Sequence, residues 1–346
     1  MEQTLQGTII CGDDFEPIDG ILTIEDGIIK EIEEKKISAD TIIAPCFVNA
    51  HTHIGDSVIK DPPYLPLAEL VRPPDGLKHR ALAGTSYKDL VSSMKATIND
   101  MIRTGTCAFV DFREGGMAGV RALKEASNGL NIVSKAFGRP MDNDMSYLDS
   151  CDGTGLSSTS DLEIDVIREI VMNTKTKGKK FAIHAGERDN TDILPAIGLE
   201  PDILIHLNHA GKKEIKLIEE ANIPVVVCLR SNFITGSGLP PIKKMLDEGI
   251  LVAAGTDNVM LNSVNMFSEM EFLAKTVLYD DRQVFKLCTL NGAKVAGIDK
   301  ELGSIKTGKK ARLMILNKKS DNMYGIRNPL SSLVRRARPD DIIRII

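Results

Sequence analysis

Short apolar runs alternate with helical stretches through the middle of this chain, a pattern that demands a parallel sheet covered by helices. Eight runs read as strands: Ile42 to Val48, Thr106 to Phe112, Ile132 to Gly138, a weak one at Gly153 to Ser157, Lys180 to Ile183, Asp202 to Ile205, Pro224 to Leu229, and Leu251 to Gly255. Helical periodicity separates most of them, as at Tyr87 to Thr104, Asp161 to Thr176, Lys212 to Ala221 and Pro241 to Glu248. Eight alternating units over about 250 residues suit a closed barrel better than an open sheet. The expected class is therefore α/β, a (β/α)8 TIM barrel.

The two ends are patterned differently. Gly7 to Cys11, Gly20 to Glu25 and Gly27 to Glu33 read as short antiparallel strands, with Asp26-Gly27 as the hairpin signal. A similar pattern returns where Gly303-Ser304-Ile305-Lys306-Thr307-Gly308 precedes the apolar run Ala311 to Leu316. The expected organisation is a barrel over 47–299 with a small β-sandwich accessory domain built from both chain ends, 1–46 and 300–346.

Composition removes several function classes. No apolar run approaches the roughly 20 residues that span a bilayer, and the N-terminus lacks a basic segment followed by an apolar core. A cytoplasmic protein with no membrane partner is expected. The formal charge of −5 argues against a nucleic-acid partner, leaving a small-molecule substrate. The six cysteines are scattered without short spacings, so neither a disulfide framework nor a zinc knuckle is indicated.

The chemistry concentrates at strand ends. His51-Thr52-His53 closes the first strand, and residues i and i+2 of a strand face the same way, here towards the end of a barrel where active sites lie. His184, followed by Ala185-Gly186-Glu187, His206 and Asp257 occupy the ends of three further strands. Four of the six histidines thus take strand-end positions that a barrel would gather around one point.

This set, His-x-His, His-Ala-Gly-Glu, a strand-end His and Gly-Thr-Asp, resembles the amidohydrolase superfamily. It is similar in particular to the cytosine/guanine deaminase and triazine chlorohydrolase branch, through Cys228-Leu229-Arg230-Ser231-Asn232, Gly236-Ser237-Gly238, Asn291-Gly292-Ala293-Lys294 and the segment from Gly303 to Leu313, where many relatives carry Asp at the position of Arg312. The resemblance implies that His51, His53, His184 and Asp257 bind one divalent metal, zinc or alternatively iron. It further implies catalytic roles for Glu187 as proton shuttle, His206 as the polarising histidine and Asp257 as the residue that deprotonates a metal-activated water. The implied activity is hydrolysis of a carbon–nitrogen bond other than a peptide bond, with deamination of an aminated heterocycle or nucleoside-like compound in front. A cyclic-amide hydrolase or chlorohydrolase is the alternative on the same site, and a catalytically silent scaffold the alternative of another class. Accessory sheets of this kind often accompany dimers among relatives, which makes a homodimer the assembly to test.

Lys135 lies inside its strand rather than at the end, where binuclear relatives place a carbamylated lysine, and reads as a non-ligand. His209, Arg113, Arg139 and Asn232 are the candidate substrate contacts, His209 being also the alternative to His206. A proline-rich stretch, Asp61-Pro62-Pro63-Tyr64 and Arg72-Pro73-Pro74-Asp75, is expected to form a loop over the barrel mouth. Zinc deaminases of the other architecture are excluded because His-x-Glu with Pro-Cys-x-x-Cys is missing, and HExxH metalloproteases because that motif is missing too.

Overall fold

A computed structural model of the chain describes residues 2–141 and 144–346. In chain order the strands are β1 (Glu2–Cys11), β2 (Glu16–Glu25), β3 (Ile28–Glu34), β4 (Thr41–Pro45), β5 (Phe47–His53), β6 (Thr106–Arg113), β7 (Val133–Gly138), β8 (Gly153–Leu156), β9 (Lys180–Ala185), β10 (Ile203–His206), β11 (Val225–Val227), β12 (Val252–Ala254), β13 (Asp257–Asn258), β14 (Leu313–Asn317) and β15 (Ile342–Ile345). Two compact units divide the chain: residues 1–50, 101–108 and 265–346 in one, 51–100 and 109–264 in the other. Among the described residues no helix is long and apolar enough to cross a membrane.

The first unit contains a six-stranded sheet in the order β15-β14-β4-β1-β2-β3. β1 and β2 pair antiparallel over ten residues, and Asp26 and Gly27, both at positive φ, turn β2 into β3 as the sequence signal requires. Both chain ends contribute to this sheet, since β14 pairs with β4. Alternate residues of its strands, including Leu5, Ile9, Leu22, Ile24, Ile43 and Leu313, form one apolar cluster. The sequence expectation was a sandwich; the described strands at the chain ends make one sheet.

The second sheet has the order β12-β11-β10-β9-β8-β7-β6-β5-β13. Its two end strands belong to one stretch of chain: β12 pairs parallel with β11, and β13, two residues further on, pairs parallel with β5. The strand order therefore closes on itself through Gly255-Thr256. Gly255 is required there, because a Cβ would stand 2.7 Å from the backbone N and O of His51.

Two expectations are adjusted. The run Ile42 to Val48 is not one strand: Thr41–Pro45 joins the six-stranded sheet, and the barrel strand starts at Phe47 and continues through His53. The weak fourth strand is real. Its sequence signal is poor for a steric reason, since a side chain at Gly155 would meet the Phe112 ring at 2.6 Å and one at Gly153 the Lys180 carbonyl at 2.3 Å. The proline-rich stretch after His53 is partly helical, with short helices at Leu67–Val71 and Leu77–Ala83. The helices expected between strands appear as Tyr87–Arg103, Ile164–Thr176, Lys212–Glu220 and Ile242–Asp247.

A candidate metal centre at the strand ends

Thr52 decides which way β5 presents its histidines. Its hydroxyl is pinned to the Val110 carbonyl and to Asp111 Oδ1, both at 3.0 Å, and Asp111 Oδ1 also accepts from the Ile54 amide at 2.6 Å. With Thr52 held on one face, His51 and His53 emerge together on the other. His51 stacks edge-on against Phe112, ring centroids 4.5 Å apart.

The three imidazoles point one nitrogen each at a common point. His51 Nε2 and His53 Nε2 lie 3.1 and 3.3 Å from His184 Nε2, and 3.3 and 3.6 Å from Asp257 Oδ1. A tetrahedral ion with ligands at about 2.0–2.1 Å requires ligand separations of roughly 3.3–3.4 Å, so the spacing suits a zinc-sized cation. The tautomers agree. His184 Nδ1 donates to the Leu156 carbonyl at 2.8 Å, and His53 Nδ1 lies 3.3 Å from Glu114 Oε1. With its hydrogen on that nitrogen, His184 presents a bare Nε2 lone pair to the cluster. Burial lowers the pKa of all three, His53 to about 3, where Lys78 adds to the effect, so they present neutral imidazoles. Burial raises Asp257, but the His51 hydrogen bond and the neighbouring histidines outweigh it and hold the carboxyl well below its usual range.

Beside these donors stand Glu187 and His206, which with Asp257 form a second group of convergent donor atoms. Glu187 Oε2 is 3.7 Å from His206 Nε2, and burial raises the Glu187 pKa against the opposing effect of His206. An amide chain fixes the His206 ring: its Nδ1 donates to Asn232 Oδ1 at 3.2 Å, Asn232 Nδ2 to Asn208 Oδ1 at 2.8 Å, and Asn208 Nδ2 to the Glu187 carbonyl at 3.3 Å. Ser231 donates to Asp257 Oδ2 at 2.5 Å. His206 and Asp257 sit at φ of +74° and +60°. Left-handed backbone at such residues stores roughly 1–3 kcal/mol each and concentrates at working sites.

The candidate contacts separate into those at the cavity and those behind it. Arg139 lines a cavity together with His53, His184, Glu187, His206 and Asp257. Arg113 does not face it: 1% exposed, its guanidinium is committed to Asp111 and Glu114, at 3.5 and 2.6 Å. Asn232 is likewise buried and serves His206 rather than a ligand. His209 is exposed and only its backbone amide, donating to Gly186 O, ties it to this region, so His206 is the histidine at the donor cluster. Lys135 is paired with Asp152 at 2.9 Å, and the His79 ring donates to the Val71 carbonyl.

Sequence reading missed Lys78. It lies in a polar stretch with no strand-end position, yet the helix Leu77–Ala83 carries it into the cavity wall, 4% exposed. Its ammonium is 2.6 Å from Glu114 Oε1, 3.1 Å from Asp56 Oδ2 and 3.2 Å from His53 Nδ1. Burial opposes that charge, but Asp56 and Glu114 outweigh it and raise the lysine pKa. Burial also raises Glu114, but Lys78 and Arg113 hold it well below the carboxylate range. Burial lifts Asp56 to about 7 and Asp111 to about 6. No motif signals these partners, because each is polar and unremarkable in its own segment.

Known proteins carry the same framework. An uncharacterized protein of Methanocaldococcus jannaschii is 32% identical over 98% of this chain and 96% of its own length. A 5-methylthioadenosine/S-adenosylhomocysteine deaminase of Thermoanaerobacter pseudethanolicus is 27% identical over 88% of this chain and 80% of its own. Among solved structures, an atrazine chlorohydrolase from Arthrobacter aurescens, complexed with zinc, superposes with a TM-score of 0.85 at 16% identity, covering 99% of this chain and 93% of that one. The amidohydrolase family model matches residues 42–346. Strand-end histidines on a closed parallel sheet and a family match over most of the length lead to one conclusion: the chain belongs to the amidohydrolase family.

Proposed function

We propose that this protein is a zinc-dependent hydrolase that releases ammonia from an aminated heterocycle or nucleoside-like small molecule. The observation that carries the reading is the convergence of three Nε2 atoms and Asp257 Oδ1 beside Glu187 and His206 in one cavity. His51, His53, His184 and Asp257 would hold the ion. When bound, such a metal supplies a Lewis acid that lowers the pKa of water towards roughly 7.

The chain's own groups then divide the proton traffic. Asp257, held by Ser231 through Oδ2, takes the proton of the attacking water. Glu187, kept protonated to higher pH by burial, gives its proton to a ring nitrogen as the oxygen adds to the adjacent carbon. The amine takes the water's proton back from Asp257 and leaves as ammonia, while the new hydroxyl returns its proton to Glu187 and the ring carbon keeps the oxygen as a carbonyl. His206, fixed by Asn232, faces Glu187 and steadies the charge that develops on the substrate.

In this reading residues 47–299 form the catalytic barrel, and 1–46 with 300–346 the accessory β-sheet domain. Deaminase relatives favour ammonia as the leaving group over chloride or a ring amide. The test is bound metal per chain by elemental analysis, followed by an ammonia-release screen over amino-substituted purines, pyrimidines and their nucleosides. One metal per chain, with ammonia released and both lost in a His51→Ala, His53→Ala double variant, supports the proposal. A metal-loaded enzyme that opens cyclic amides or releases chloride, but never ammonia, refutes it.

A further inference from the structure

Among the described residues Arg139 is an arginine whose side chain makes no hydrogen bond. Its backbone amide donates to the Arg113 carbonyl, which fixes the residue just past the end of β7, but among the described residues its guanidinium makes no hydrogen bond and Nε is buried without a partner. The nearest carboxylate oxygen is Glu114 Oε1 at 3.9 Å, and Lys78 already holds that atom at 2.6 Å. The side chain is 16% exposed and lines the same cavity as Glu187, His206 and Asp257.

The other two cations of this wall are already paired. Lys78 pairs with Asp56 and with one oxygen of Glu114; Arg113 pairs with Asp111 and with the other oxygen of Glu114. Three carboxylates are thus shared by two cations that have hydrogen bonds or close ion pairs, and the third cation, Arg139, lines the cavity. Desolvated donors without acceptors are unfavourable, and a planar guanidinium is shaped for two parallel hydrogen bonds to a carboxylate.

We infer that Arg139, with Lys78 behind it, is the receptor for an oxyanion on the substrate, and that the substrate is an aminated heterocycle bearing a carboxylate. This rests on the reading of the cavity as the place where the ring amine is hydrolysed. The inference adds a specificity element that separates this chain's substrate from neutral bases.

The test reads binding rather than turnover, so it stands apart from the ammonia screen. Metal-loaded enzyme is titrated calorimetrically with cytosine, cytosine-5-carboxylate and cytidine 5′-monophosphate, and by thermal shift with nicotinate against nicotinamide at millimolar concentration. Arg139→Gln and Arg139→Lys are measured alongside, with metal content as the check on folding. The expected result is preference for each carboxylate over its neutral partner by about tenfold or more, lost in Arg139→Gln and partly kept in Arg139→Lys. Equal binding of charged and neutral probes, no binding of any carboxylate, or a preference that survives Arg139→Gln would each overturn the assignment. An Arg139-dependent preference for the monophosphate over the carboxylates would overturn the carboxylate in favour of a phosphate. If the carboxylate preference holds while no ammonia is released, the receptor stands and the deaminase reading falls.

Discussion

Replacing Glu114 by Gln removes the charge that three groups share. In the folded chain Glu114 forms an ion pair with Lys78 at 2.6 Å, accepts from Arg113 at 2.6 Å and lies 3.3 Å from His53 Nδ1. Two consequences follow, and they are separable. Breaking a buried pair by removing one partner costs roughly 3–5 kcal/mol, because the other charges stay buried. With an unfolding entropy of about 2.1 cal/mol/K per residue, a chain of 346 residues loses about 0.7 kcal/mol per degree near its midpoint, so the metal-free variant is expected to melt roughly 4–7 °C lower. The second consequence concerns the metal: loss of the acceptor that orients a ligand histidine typically lowers affinity about 10–100-fold. Calorimetric melting of metal-free protein reads the first effect and competition with a zinc-binding fluorophore reads the second. A Lys78→Met, Glu114→Gln double variant removes the ammonium that has lost Glu114 and keeps only Asp56 as ion-pair partner, and is expected to recover part of the lost stability without recovering affinity. Wild-type zinc affinity in Glu114→Gln would refute the claim that Glu114 supports His53 as a metal ligand, even if the melting temperature fell.

Three further outcomes are expected. Asn232→Ala frees the His206 ring to take the other tautomer, so kcat should fall by about tenfold or more with metal content unchanged; an unaltered kcat would remove Asn232 from the mechanism. Gly155→Ala drives a methyl into the Phe112 ring behind His51 and should destabilise by roughly 1–3 kcal/mol, seen as a lower denaturant midpoint at constant m-value; a wild-type midpoint would mean that the strand has slack. Chelation of the purified enzyme should lower its melting temperature, and zinc at about a hundred times its dissociation constant should restore about 2.7 kcal/mol; a melting curve indifferent to zinc would count against the four-donor site.

The sequence determined the barrel and its donors, because both depend on local periodicity. Apolar runs at strand length and alternating direction in β5 were enough to place His51, His53, His184, His206 and Asp257 at strand ends, and the described structure gathers all five at one cluster or beside it. Tertiary structure decided the rest. Ile42 to Val48 looks like one strand in sequence, and only pairing with β1 on one side of Cys46 and with β13 beyond it splits the run. Arg113 and Asn232 sit as close to strand ends as the donors do, yet burial against Asp111, Glu114 and His206 makes them supports rather than contacts. Lys78 is the opposite case: nothing in Gly76-Leu77-Lys78-His79 announces a functional lysine, and its place in the cavity wall comes from the helix that brings it against Asp56, Glu114 and His53. Periodicity is a property of neighbouring residues and can be read along a chain; the pairing of charges that are distant in sequence exists only once the backbone has closed around them.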